Sequence, residues 1–151
     1  LDRDWYAIDL ETGTLNGVRS LPVDQQFRSS SFAVLQKDGY LFTGGRGHDA
    51  VYALDPTTDE VWSASAHVFD LHIFTMQTWP ADPSLIVVAG GTETFYAGGA
   101  MLFDPADRRF RYAHAVGFSE SAVTNLTDDL RGGVLGVLPW TGEIVRITAD
   151  P

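Results

Sequence analysis

The chain has 151 residues, of which 44% are hydrophobic and 12% aromatic, enough apolar material to exclude a disordered polymer. Twenty acidic residues against ten basic ones give a formal charge of −10, which excludes a nucleic-acid partner because phosphate binding needs concentrated Lys and Arg. No cysteine occurs, which excludes disulfides, thiolate metal sites and a cysteine nucleophile, and no apolar run reaches the roughly 18 residues of a spanning helix, so no membrane partner is expected.

In chain order, the first recognisable element is the apolar run Trp5 to Ile8, which leads into Asp9. The same wording returns at Val51 to Leu54 before Asp55-Pro56, at Ala100 to Phe103 before Asp104-Pro105, and at Ile144 to Thr148 before Asp150-Pro151. The four Asp residues follow one another at intervals of 46, 49 and 46 positions. Self-similarity at roughly 40 to 50 residues is the period of a four-stranded propeller blade. Asp and Pro in these positions are expected to be structural, since Asp accepts hydrogen bonds from the backbone two residues on and Pro presets the turn.

Between the repeated anchors the strands fall out one by one. Ser31 to Leu35 predicts an inner strand, Lys37-Asp38-Gly39 a turn, and Tyr40 to Thr43 a second strand ended by Gly44-Gly45. Val51 to Leu54 follows, then a turn over 55–59 and a fourth strand ending at Trp62. The next unit repeats the order with Ile73 to Thr78, a Pro-rich turn at Pro80 to Pro83, Leu85 to Ala89 ended by Gly90-Gly91, Ala100 to Phe103, and Phe110 to Tyr112. A third has Ala122 to Thr124, a turn near Asp128-Asp129, Val134 to Val137, and Glu143 to Thr148. Runs of four to six residues with turn signals every 8 to 12 positions predict short antiparallel strands, and the frequent Gly and Pro argue against helices. The expectation is an all-β fold: a β-propeller section of about three four-stranded antiparallel blades, occupying 1–151 as a single segment.

Trp5 to Asp9 reads as a third strand without its first two, and Ile144 to Thr148 as a third strand without its fourth. Three blades are fewer than the four to eight that close a ring. The reading is therefore a section of a larger propeller or one protomer of an oligomeric ring, with self-association or the remainder of the propeller as a partner.

An apolar strand, a double glycine, and two aromatic residues with six residues between them resemble the kelch repeat. Leu85 to Gly91 with Phe103 and Phe110 carries the likeness well, and Leu41 to Gly45 with Leu54 and Trp62 carries it loosely. In the third unit Leu138-Pro139 stands where the glycines belong. Within the kelch group, Phe27 to Ser31 followed by Asp38-Gly39 and Gly44-Gly45 resembles a blade opening in secreted copper-radical oxidases of the galactose and glyoxal oxidase type. That resemblance implies a cysteine cross-linked to a copper-ligating tyrosine. Here Arg28 occupies the cysteine position and Leu71 to Phe74 the region of the tyrosine, so the pair is lacking and no cofactor is expected. Cysteine absence leaves the compartment open, and the resemblance leans it toward an extracellular setting.

Candidate ligand-binding residues fall in two groups. Arg28, His72 and Glu120 stand at equivalent places at the starts of three inner strands, where polar groups would converge on a channel mouth or satisfy one another there. Trp79 and Trp140 lie beside prolines in predicted connections, and with Tyr96 they would form an exposed aromatic binding face. His67, Asp70 and His72, with His48 or Asp49, lack the count of converging ligands that a metal site needs, so none is assigned. Gly45 to His48 has neither the Lys nor the helix of a phosphate loop, and Ser29 to Ser31 have no nucleophile elbow. No catalytic residue is assigned. Asn125-Leu126-Thr127 has the form of a glycosylation acceptor.

The functional expectation is a non-catalytic recognition module that binds a protein or glycan ligand through propeller loops. Two alternatives stand beside it: part of a secreted carbohydrate or alcohol oxidase-like enzyme, and a self-assembling structural ring.

Overall fold

The computed structural model describes residues 4–20, 31–45, 48–58, 60–65, 71–92, 98–118 and 122–149. Among them are thirteen strands and no helix, in the order β1 (Asp4–Ile8), β2 (Leu15–Ser20), β3 (Ser31–Lys37), β4 (Tyr40–Gly45), β5 (His48–Leu54), β6 (Val61–Ser65), β7 (Leu71–Thr78), β8 (Ile86–Thr92), β9 (Gly98–Asp104), β10 (Arg109–Phe118), β11 (Thr124–Asp128), β12 (Val134–Leu138) and β13 (Glu143–Ile147). They make two complete four-stranded antiparallel sheets, β3-β4-β5-β6 and β7-β8-β9-β10, flanked by a β1-β2 pair and a three-stranded β11-β12-β13 sheet. This is an all-β, propeller-like section, as the 46- to 49-residue repeat predicts.

Each sheet meanders, so its first–second and third–fourth turns share one end and its second–third connection lies at the other. The turn chemistry follows from the residues. Asp38 and Gly39 have φ of 51° and 84°, and Lys37 pairs with Tyr40, which is the two-residue hairpin turn that Asp-Gly favours. The third–fourth turns repeat a second device. Asp9 Oδ1 accepts from the N–H groups of Glu11 and Thr12, Asp55 Oδ1 from those of Thr57 and Thr58, and Asp104 Oδ1 from those of Ala106 and Asp107. The repeated Asp is structural at all three of these places; Asp150 lies outside the described residues.

The double glycines have a physical reason beyond ending a strand. In the β3–β4 and β7–β8 pairs the register slips by one residue, between Ser31 and Ala33 and between Ile73 and Thr75, opposite Gly45-Gly44 and Gly90-Ala89. A bulge there throws the first strand's backbone over the second strand. A Cβ on Gly90 would lie 1.6 Å from the His72 carbonyl oxygen, and one on Gly44 would lie 2.6 Å from Cγ2 of Ile73 in the neighbouring sheet. Only glycine permits both approaches.

Sheet stacking makes the core. Phe42, Val51 and Ala53 of the first four-stranded sheet pack with Ile73, Met76, Ile86, Val88, Met101 and Phe103 of the second. The alternate residues of the second sheet, Val87, Ala89, Ala100 and Leu102, face Val123, Val134, Leu138 and Val145 of the β11-β12-β13 unit. Buried on both faces, β9 therefore reads Ala-Met-Leu-Phe without polar alternation. Between sheets, the Val123 N–H donates to the Gly90 carbonyl at 2.9 Å.

Several strand boundaries differ from expectation; β5 and β7, for example, begin at His48 and Leu71 rather than at 51 and 73. The first strand of the third unit is Thr124–Asp128 rather than 122–124, because Val123 spends its N–H on the neighbouring sheet. The β6 and β10 strands run beyond Trp62 and Tyr112, to Ser65 and Phe118. Strand β2, which pairs with β1, carries too weak an apolar pattern in Leu-Asn-Gly-Val-Arg-Ser to be foreseen.

Candidate functional site

At the end of the sheets that carries the first–second and third–fourth turns, an open cleft of about 380 Å³ separates the two four-stranded sheets. Its walls are Tyr40 and Phe42 of β4 and Trp62 of β6. Asp38, Ser84 and the turn residues Pro105, Ala106 and Arg108 form its rim. Three separate turns, from two sheets, thus supply one site.

Local sequence explains the placement. The Asp38-Gly39 turn fixes the register that sets Tyr40 and Phe42 two residues apart on one face of β4. Their rings lie 6.1 Å apart, Tyr40 to Trp62 measures 6.2 Å and Phe42 to Trp62 5.8 Å, the last two edge-on. Phe103 continues the array, 6.4 Å from Phe42 and 5.0 Å from Phe110. Trp62, Phe103 and Phe110 therefore pack between sheets. The indole N–H of Trp62 is shut from solvent without an acceptor, a deficit of about 1–3 kcal/mol for a buried donor.

Arg108 closes one side of the cleft. Its guanidinium carbon lies 4.7 Å from the Trp62 ring centroid, and its Nη2 donates to Glu60 Oε1 at 3.3 Å. Both charged side chains remain about half exposed. Arg108 has φ of 54°, four residues after Asp104; four residues after Asp9, the equivalent place is Gly13, with φ of 67°. A side chain in that conformation costs about 1–2 kcal/mol, which glycine avoids. The chain thus holds a strained arginine where its own repeat offers a glycine, and the arginine covers the tryptophan face.

Charges around the rim are largely paired. Lys37 Nζ bonds Asp38 at 2.7 Å, and Arg111 holds both Asp104 and, at 3.0 Å, Asp107. The hydroxyl and N–H of Ser84 hold the Asp82 carboxyl below its ordinary value against the opposing effect of desolvation, with smaller help from the charges of Arg111 and Lys37. No cluster of three or more His, Asp or Glu side chains that could hold a metal occurs among the described residues.

The candidates read from sequence fare unequally. Trp79, expected to be an exposed indole, is buried at 3% exposure against Leu85, Val87, Leu102 and Val134. Its backbone N–H donates to the Leu85 carbonyl across the turn, and its ring packs into the contact between the second and third sheets. Trp140 is exposed at 65%, on the β12–β13 connection at the opposite end from the cleft. His72 is buried at 6%, near the start of β7 with its ring 6.4 Å from that of Phe74, so it is a packed strand residue. Arg28, Glu120 and Tyr96 lie outside the described residues, as do His67 and Asp70. The sequence does not show the cleft, although it marks Asp38-Gly39 as a turn and Trp62 as the end of a strand. The signal that could have found it is Arg108 at the glycine place of the repeated turn.

No protein-family model matches the chain, and no curated protein matches it. Among solved structures the chain is similar to Kuenenia stuttgartiensis hydrazine synthase, with a TM-score of 0.61 and 13% identity over 96% of this chain. The match spans 43% of that chain. At this identity the likeness concerns the fold.

Proposed function

We propose that this chain is a non-catalytic recognition module, a kelch-type propeller section whose ligand site is the Tyr40–Phe42–Trp62 cleft. The observation that carries the reading is the cleft's construction: the partly exposed rings of Tyr40 and Trp62, backed by the buried Phe42, lie between two sheets, with polar and charged groups brought to the rim by three turns. Aromatic side chains with a few placed polar groups are the composition of recognition sites, since rings supply large contact area at low entropic cost. The kelch reading draws support from Gly90-Gly91 with the Phe103–Phe110 ring contact, 5.0 Å between centroids and tilted.

Arrays of peptides and glycans probed with the whole chain test this reading. Wild type should bind a subset, and Tyr40→Ala should weaken that binding at least tenfold while its thermal unfolding stays cooperative. Binders indifferent to Tyr40→Ala but lost in Trp140→Ala would overturn the site and move recognition to the opposite end.

A further inference from the structure

Resting on that cleft reading, we infer that the ligand is a cationic side chain, Lys or Arg, of a partner polypeptide, and that Arg108 is a built-in competitor that the ligand displaces. The Trp62 face already holds a guanidinium, 4.7 Å from the ring centroid, and Glu60 already accepts from it at 3.3 Å. An incoming Arg or Lys exchanges like for like: ring face and carboxylate pass to the ligand, and the half-exposed Arg108 swings into water. The long, half-exposed Arg108–Glu60 contact makes the resident a poorly held occupant.

Charge favours this class over an acidic sugar. The chain carries −10, a field that draws cationic segments to it and repels anionic ones. A neutral sugar would use the rings and donate hydroxyls to Glu60, but it would not replace the positive charge that Arg108 brings to that carboxylate.

The experiment follows the Trp62 indole N–H and the Arg108 amide by NMR in the whole chain. The probes are Ac-Gly-Arg-Gly-NH2, Ac-Gly-Leu-Gly-NH2, methyl glucoside and methyl glucuronide. The arginine peptide should shift both signals, less so as salt rises, and the leucine peptide should not. Arg108→Gly, which suits the positive φ, should tighten the arginine peptide about two- to fivefold by removing an exposed cation–π competitor. Arg108→Asn is the second variant, and Glu60→Gln should weaken binding. If only the glycosides shift Trp62, the cationic class falls and the recognition cleft stands. If Arg108→Gly and Arg108→Asn abolish binding while unfolding normally, Arg108 is a ligand contact and the competitor role falls. If no probe moves Trp62, both the class and the cleft reading are overturned.

Discussion

Ile73, at the inner strand of the second four-stranded sheet, packs so closely on Gly44 of the first that a Cβ at position 44 would lie 2.6 Å from its Cγ2 and 2.7 Å from its Cβ. The second distance matters more, because a rotamer change of Ile73 cannot relieve it. The contact holds the two sheets together toward the end opposite the cleft, and Ile73 belongs to the same cluster as Phe42, Trp62 and Phe103.

Gly44→Ala should therefore destabilise the chain by about 1–3 kcal/mol through overpacking. The cost should shrink in part when Ile73→Ala is added, because that change removes the Cγ2 contact and leaves the Cβ contact, so the two changes should be non-additive in a double-mutant cycle. Urea unfolding of the four species measures this, and additive losses would show that the sheets do not meet there.

Gly90→Ala should be worse than Gly44→Ala, because its Cβ would meet backbone, the His72 carbonyl oxygen at 1.6 Å. Gly142→Ala supplies the contrast. That glycine has nothing within 4 Å of a built Cβ, so only its φ of 74° opposes the change, a cost of about 1–2 kcal/mol. Thermal melts should rank the three variants with Gly90→Ala lowest.

Trp79 and Trp140 should separate cleanly. Trp79→Ala removes a buried indole from the packing between the second and third sheets and should cost about 3–5 kcal/mol. Trp140→Ala, at an exposed position, should stay within about 0.5 kcal/mol. Equal effects in denaturant unfolding would contradict the burial assigned to Trp79.

The repeat made the fold legible, whereas the site was legible only in pieces. Asp9, Asp55 and Asp104 recur because one side-chain oxygen caps two backbone N–H groups, a local rule readable from sequence. Gly44 and Gly90 are readable as punctuation, but the bulge and the neighbouring sheet that require them are not. Trp79 was misjudged because Pro80 marks a turn without saying which way the preceding ring points; the ring packs into the contact between the second and third sheets. The cleft joins residues 38, 62, 84 and 108, whose nearness depends on how two sheets stack.

Acid should loosen the repeated turns. Asp55 is held at about 2, against an ordinary 3.8, first by the Thr57 hydroxyl, then by the Thr57 N–H and by Thr58. A carboxyl whose folded value lies below its unfolded one stabilises the fold fully above the unfolded value, and that contribution is lost as pH falls from about 4 toward about 2. Asp9 is lowered in the same direction by the N–H groups of Thr12 and Glu11. Asp129 is also lowered: burial pushes its carboxyl up, but the bond from Arg146 and the N–H groups of Gly133 and Arg131 outweigh it. Melting temperature should be flat from neutral pH to about 5 and fall below about 4, with a smaller fall in Asp55→Asn because part of the titrating stabilisation is gone. An unchanged acid slope in that variant would remove Asp55 from the account.

The claim that recognition occurs in the inter-sheet cleft is tested most directly by mapping backbone amide shifts of the whole chain against a peptide drawn from the array. The account predicts the largest changes at Asp38 to Phe42, Glu60 to Trp62, Ser84 and Ala106 to Arg108. Changes confined to Trp140 and the second–third connections, with the cleft residues silent, would contradict it.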